Sequence, residues 1–272
     1  MGMVKSLFAP LFIAAMSLAS PGSAQSADDM VNVSVLPGWQ MSDGRHMAAL
    51  RFSLEDGWKT YWRAPGDAGI PPRFDWRGSQ NLSQVEIIWP TPEQTITNGM
   101  RTIGYTHDLV LPVRLTPKQS NIPISLSVNM EIGVCSDICV PVEIGVGLDL
   151  PLGNSDRDPR IAAALAARPY TAAEAGVGRV ACSVTSIAGG GLRLIAQIDM
   201  EQMGAQELVV IETDNPDLWV AQTDTKRRGD MLRAETEMHH VEGRGFLLDR
   251  SGLRLTVLST GDAVDIRGCP SP

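Results

Sequence analysis

Apolar and polar positions alternate most clearly over residues 124–150. Ile124, Leu126, Val128, Met130, Ile132 and Val134 are apolar, and Ser125, Ser127, Asn129 and Glu131 stand between them. After a break, Val142, Ile144, Val146, Leu148 and Leu150 alternate with Glu143, Gly145, Gly147 and Asp149. A period of two marks a strand with one buried face. Two such runs with a short connection predict an antiparallel hairpin. Shorter apolar runs recur upstream at 31–36, 47–54, 85–89 and 109–115, between Gly, Pro and Asp punctuation. Downstream, 192–198 alternates imperfectly, and 208–211, 218–220, 246–248, 253–258 and 264–266 are further strand candidates. One segment carries helix signals: Asp158 as N-cap, Pro159 in the first turn, then Ile161 to Ala167, with Arg168-Pro169 as the stop.

This pattern predicts an all-β chain. Residues 25–150 read as an immunoglobulin-like β-sandwich, 151–179 as a linker with a short helix, and 180–272 as a second, smaller β-sandwich domain. Trp39, Trp58, Trp62, Trp76 and Trp89 are expected in or at the edge of the first core. Two stretches read as loops. Residues 63–72 are stiffened by proline and bent by glycine, and 91–105 is polar with Asn98-Gly99 as a turn signal. Residues 1–24 stand apart. Lys5, an apolar run over 7–19 and Gly22-Ser23-Ala24 read as a secretory signal peptide, too short to span a membrane comfortably. The mature chain is expected to be soluble and exported.

Charge narrows the partners. The full chain has 23 basic and 31 acidic residues, net −8. Without 1–24, whose one charge is Lys5, the balance is 22 against 31, net −9. That argues against nucleic acid or an anionic membrane surface. No phosphate-binding glycine loop, nucleophile elbow or paired-histidine zinc motif occurs. The expectation is therefore no cofactor and no hydrolase.

The four cysteines carry the chemistry. Cys135 and Cys139 fall where the hairpin closes. Facing strands hold Cα atoms roughly 4.5–5.5 Å apart, within the roughly 4.4–6.8 Å that a disulfide spans. The loop they would close is very short, so little chain entropy is removed from the unfolded state. Such a bond suits being made and broken. Spacing alone leaves three readings: an exchangeable redox pair, a structural disulfide of an exported protein, or a Cu(I) site with Met130 as a third soft ligand. Cys182 and Cys269 bracket the second domain. A bond between them would close nearly all of it, worth roughly 4–5 kcal/mol in a chain-entropy treatment, which makes them the candidate structural disulfide. His239-His240 reads as a solvated turn rather than a metal site, because adjacent strand residues point to opposite faces.

Several motifs then occur in a telling order: Asp56-Gly57-Trp58-Lys59-Thr60-Tyr61-Trp62, Trp89-Pro90, Gly104-Tyr105 with Leu109-Val110-Leu111-Pro112-Val113, and Cys135-Ser-Asp-Ile-Cys139-Val-Pro141. The chain resembles the N-terminal periplasmic domain of DsbD. It resembles more closely the ScsB-type relatives, linked to copper tolerance, which share Tyr61 to Gly69 and a second β domain. The resemblance implies a redox-active sandwich whose pair is Cys135 and Cys139, with Cys139 the sulfur that attacks or is attacked. It implies Tyr61 beside the pair and 95–100, including Asn98 and Gly99, as a cap loop, and residues 63–72 and 95–100 with Tyr61 are expected to frame the pair and gate access to it. It also implies a periplasmic disulfide reductase relay. The partners would be a thioredoxin-like donor domain or membrane electron transporter in trans, and periplasmic disulfide-containing proteins, with disulfide reduction, cytochrome c maturation or copper tolerance as settings. Asp137 lies between the cysteines, where a nearby charge would disfavour a thiolate.

Three departures from the family pattern stand out. Two fewer residues separate the cysteines than in DsbD, the cap lacks its aromatic residue, and the chain ends at Pro272 without a membrane or thioredoxin-like domain. A reductant in trans is therefore expected. A copper-handling module and a non-catalytic binding domain remain as alternative readings.

Overall fold

The computed structural model describes residues 29–97 and 99–272. The expected signal peptide and Asn98 lie outside the described residues. Ten strands come first: β1 (Val31–Gln40), β2 (His46–Leu54), β3 (Lys59–Gly66), β4 (Arg73–Asp75), β5 (Leu82–Ile87), β6 (Glu93–Thr97), β7 (Met100–Tyr105), β8 (Leu109–Pro117), β9 (Ile124–Cys135) and β10 (Cys139–Leu150). They form two sheets, ordered β1-β2-β8-β5 and β10-β9-β3-β7-β6, with β4 beside β9. The sheets close on each other as an immunoglobulin-like sandwich. Leu50, Phe52, Leu109 and Leu111 of one sheet share a core with Val128, Met130, Ile132 and Val134 of the other, together with Trp58, Trp62 and Trp89.

Of the two stretches read as loops, 63–72 is strand only through Gly66, whereas 91–105 is largely strand. β3 escapes a period-two reading because Thr60, Tyr61 and Trp62 are all buried, so no polar face shows in its sequence. Strands β6 and β7 pair antiparallel, with Thr97 opposite Met100. The edge strand β6 is polar, which gives the sequence a loop-like composition. Gly99 takes the positive φ of +78° that the turn requires.

The helix forms as read. α1 spans Pro159–Ala166, and the Asp158 side chain accepts from the Arg160 N–H. Ile161 is fully buried against Leu36, Trp39, Met47 and Ala49, so the helix is docked on the outer face of the first sheet. The rest of the chain adds β11 (Tyr170–Thr171), β12 (Val180–Ser186), β13 (Leu192–Asp199), β14 (Leu208–Thr213), β15 (Leu218–Val220), β16 (Asp224–Arg228), β17 (Met231–His240), β18 (Leu253–Leu258) and β19 (Ala263–Arg267). Two sheets result, β11-β19-β18-β14 and β12-β13-β17-β15, with β16 beside β17. The expected linker is thus divided, its helix packing on the first sandwich and Tyr170–Thr171 pairing with β19 of the second.

Two expectations need correction here. Residues 246–248 form no strand, and Leu247 is 97% exposed. His239-His240 is not a turn but the end of β17, where alternation buries His240 and leaves His239 facing out. The buried row of β17 includes Thr236 and His240, and these polar residues hide its period. Cys182 and Cys269 are disulfide-bonded, with Cα atoms 5.5 Å apart, and both are buried.

The sheet containing β14 and β18 is covered on both faces. Val209, Ile211, Leu255, Val257 and Val264 face the second core. Leu208, Leu258 and Ala263 instead join the core of the first sandwich.

Candidate redox site

Cys135 ends β9 and Cys139 begins β10, directly opposite in the ladder. They are disulfide-bonded, with Cα atoms 4.2 Å apart, and the connection is tightened by Ser136 N–H donating to the Ile138 carbonyl at 3.1 Å. The two ends differ in exposure. Cys135 is fully buried, whereas Cys139 is exposed, as are Asp137 and Ile138 beside it.

The burial of Cys135 follows from what covers β9. The strand alternates buried and open positions up to Glu131, then buries Ile132 to Cys135 without a break. Ile132 and Val134 point into the core. Gly133 and Cys135 point to the opposite side, as alternation requires, and there Tyr61 covers them. The ladder sets this up: Lys59 pairs with Cys135 and Thr60 with Val134, which brings Tyr61 beside Gly133. Thr60 Oγ1 also donates to the Gly133 carbonyl at 3.0 Å.

The Tyr61 hydroxyl lies 2.8 Å from Cys135 Sγ and 3.2 Å from Cys139 Sγ. Two glycines make room for its ring. A Cβ on Gly133 would stand 2.9 Å from Tyr61 Cδ2 and 2.7 Å from Ile70 Cβ, and one on Gly69 would stand 2.9 Å from Tyr61 Cδ1. The chain reaches this position by turning at Gly66, whose φ is +86°. The turn is held by Asp67, which donates its N–H to the Arg101 carbonyl and accepts from Arg101 N–H, both at 2.9 Å. Burial pushes the Tyr61 phenol above its ordinary pKa, so the hydroxyl keeps its proton and serves as a donor. A thiolate formed at either sulfur would accept from it, and hydrogen bonds to an ionised acceptor are about twice as strong as neutral ones.

The structure does not bring every expected residue to the pair. Asp137 is exposed at the hairpin tip. Gly99 lies at the far end of β7, six residues before Tyr105, which is level with Thr60; that is about 20 Å along the strand. Met130 is buried in the core opposite Ile144 and Phe74, five residues before Cys135 and so about 16 Å away. It is not placed to join the two sulfurs as a metal ligand. Among the described residues no cluster of three or more His, Cys, Asp or Glu is arranged to hold a metal. Gly69 and Ile70 fall within 63–72, the stretch expected to frame the pair, and Gly133 is a framing residue outside that expectation. A glycine inside an alternating strand signals a close approach of other atoms, and Gly133 carried that signal.

Residues 28–146 match the family described as thiol:disulfide interchange protein DsbD, N-terminal. This segment belongs to the DsbD N-terminal family. Membership, together with the cysteine pair, supports thiol–disulfide interchange as its general chemistry. The chain is also similar in structure to the N-terminal periplasmic domain of ScsB from Proteus mirabilis, with a TM-score of 0.67 and 22% identity over 92% of this chain and 97% of that one. At that identity the likeness shows fold, and it extends past the DsbD N-terminal segment into the second sandwich. No curated protein matches the chain. Among the described residues no helix is long and apolar enough to cross a membrane.

The setting of the pair bears on its substrates. Two grooves of about 560 and 700 Å³ open on the molecule, and neither is lined by a cysteine. The DsbD N-terminal domain presents Cys139 on a hairpin tip rather than in a small-molecule cleft.

Proposed function

We propose that this chain is a periplasmic thiol–disulfide relay whose exchangeable pair is Cys135–Cys139, exported by residues 1–24. A thioredoxin-like domain, tied to a membrane electron transporter and acting in trans, is its donor. Periplasmic proteins with disulfides are its acceptors.

In the reducing half, a donor thiolate attacks Cys139 Sγ. The Cys135–Cys139 bond breaks and Cys135 leaves as a thiolate, which accepts the Tyr61 hydrogen bond. The donor's second thiol then attacks its own sulfur in the mixed disulfide and releases Cys139. Two electrons now rest on the pair and the donor holds a disulfide. In the second half Cys139 attacks an acceptor disulfide, Cys135 attacks Cys139, and the acceptor leaves as a dithiol. Resolution is fast because the two sulfurs are held together.

One observation carries this reading: an exposed sulfur and a buried sulfur share one tyrosine hydroxyl at a hairpin end. Exposed Ile138, at 62%, offers an apolar contact to a partner beside Cys139. Thiol trapping of the purified protein across glutathione buffers of graded potential is the test. The expected result is that Cys135–Cys139 opens and closes reversibly while Cys182–Cys269 stays closed. A pair that remains oxidised throughout would remove the relay.

A further inference from the structure

The second sandwich has no open cysteine, yet it grips the segment that frames the pair. Arg63 follows Tyr61 by two residues. Its Nε donates to Glu212 Oε1 at 3.0 Å and to Oε2 at 3.2 Å, and its Nη2 donates to Oε2 at 3.0 Å. Nη2 also donates to Thr256 Oγ1 at 3.1 Å. Glu212 lies on β14 and Thr256 on β18, so both acceptors belong to the second sandwich. The Arg63 and Glu212 side chains are only 12% and 22% exposed. On its other side the guanidinium lies 3.8 Å over the ring of Trp62, a fully buried core residue. A planar guanidinium held by a carboxylate fork and an aromatic face has little freedom left.

That immobility reaches the sulfurs through a short path. From Arg63 the chain runs through Pro65 to Gly69, which packs on Pro65 and on Tyr61 Cδ1. Ile70 then lies against Gly133. The Tyr61 ring is thus bounded by strand β9 on one side and by the segment tied to Glu212 on the other.

Resting on the exchange reading above, we infer that the second sandwich is a positioning element for it. Glu212 and Thr256, acting through Arg63 and residues 64–70, hold the Tyr61 hydroxyl at Cys135 and Cys139. They touch neither sulfur, so they are positioning residues. Loosening them should weaken hydrogen bonding to the Cys139 thiolate and raise the pKa of that thiol.

The test is the pH dependence of iodoacetamide alkylation of Cys139 in the full chain carrying Cys135→Ala, where one thiol remains outside the Cys182–Cys269 bond. Glu212→Gln keeps the shape of the side chain and removes its charge. Thr256→Val removes one hydrogen bond only and serves if Glu212→Gln folds poorly. Either variant should move the profile to higher pH and slow alkylation at neutral pH by roughly threefold or more. In a Tyr61→Phe background the same substitutions should add nothing, because the group they position is gone. An unmoved profile, or an equal shift with and without the tyrosine hydroxyl, would overturn the inference. Failure of the exchange reading shows separately, as a parent pair that does not titrate in glutathione buffers while the alkylation profiles still report the coupling.

Discussion

At Tyr61 one hydroxyl meets two sulfurs, 2.8 and 3.2 Å away, and its use differs between oxidation states. In the disulfide it makes weak contacts to neutral sulfur. On reduction it can donate to an anion, a hydrogen bond worth about 1.5–3 kcal/mol. Tyr61→Phe keeps the ring and removes the donor. In the Cys135→Ala chain it should raise the midpoint of Cys139 alkylation by about one to two pH units; an unchanged midpoint would assign Tyr61 to packing alone. Gly133 is the second residue to probe. Gly133→Ala puts a methyl group 2.7 Å from Ile70 Cβ, and overpacking of this kind costs about 1–3 kcal/mol. Gly145→Ala on the neighbouring strand meets only Asn129 Oδ1, the end of a side chain that can swing away, and should cost less than about 0.5 kcal/mol. Urea unfolding of the two variants separates these outcomes.

His46 gives a pH-dependent prediction away from the site. It is buried, its Nε2 is 2.6 Å from the Pro37 carbonyl, and burial holds its pKa below the ordinary value while the hydrogen bond opposes this. The unfolded chain therefore takes up a proton more readily than the folded one. The stability due to neutral His46 is complete above the unfolded value of about 6.5 and declines as pH falls below it. His46→Gln should flatten the fall in unfolding free energy between pH 7.5 and 5.5. A slope equal to that of the parent would place the acid sensitivity elsewhere.

Among the elements, the hairpin of β9 and β10 was the most legible because one face of β9 is wet for most of its length. The period fails over Gly133 to Cys135, where Tyr61 and Ile70 cover the outer face, and the sole local sign of that cover is the glycine itself. β3 was illegible for the same reason, being buried on both sides through Tyr61 and Trp62. β17 was hidden by polar residues on its inner row. Motif resemblance, not periodicity, pointed to Tyr61. The Cys182–Cys269 bond offers an element-scale test, since it ties β12 to the chain end after β19. Changing both residues to alanine should lower the unfolding free energy of the second sandwich by about 2–5 kcal/mol. At temperatures where that sandwich stays folded, Cys135–Cys139 should titrate as in the parent. Calorimetry that shows unaltered melting would deny the bond a structural role.

Over the whole molecule, the two sandwiches meet through an apolar contact at Leu208, Leu258 and Ala263 and through the ion pair of Arg63 with Glu212. These partners lie 149 positions apart, and nothing local in either sequence announces the other. Both sandwiches could be expected from strand patterns, but their mutual grip could not. On the proposed function the molecule reduces to one exchangeable pair that holds two electrons between partners, and the unequal exposure of its sulfurs is what assigns their roles there. The most direct measurement is mixed-disulfide formation with glutathione disulfide, followed by mass spectrometry of the intact chain. Cys135→Ala, which keeps exposed Cys139, should accumulate a stable one-to-one glutathione adduct. Cys139→Ala, which keeps only buried Cys135, should form far less under the same conditions. Equal adducts on both variants, or more on Cys139→Ala, would contradict the account.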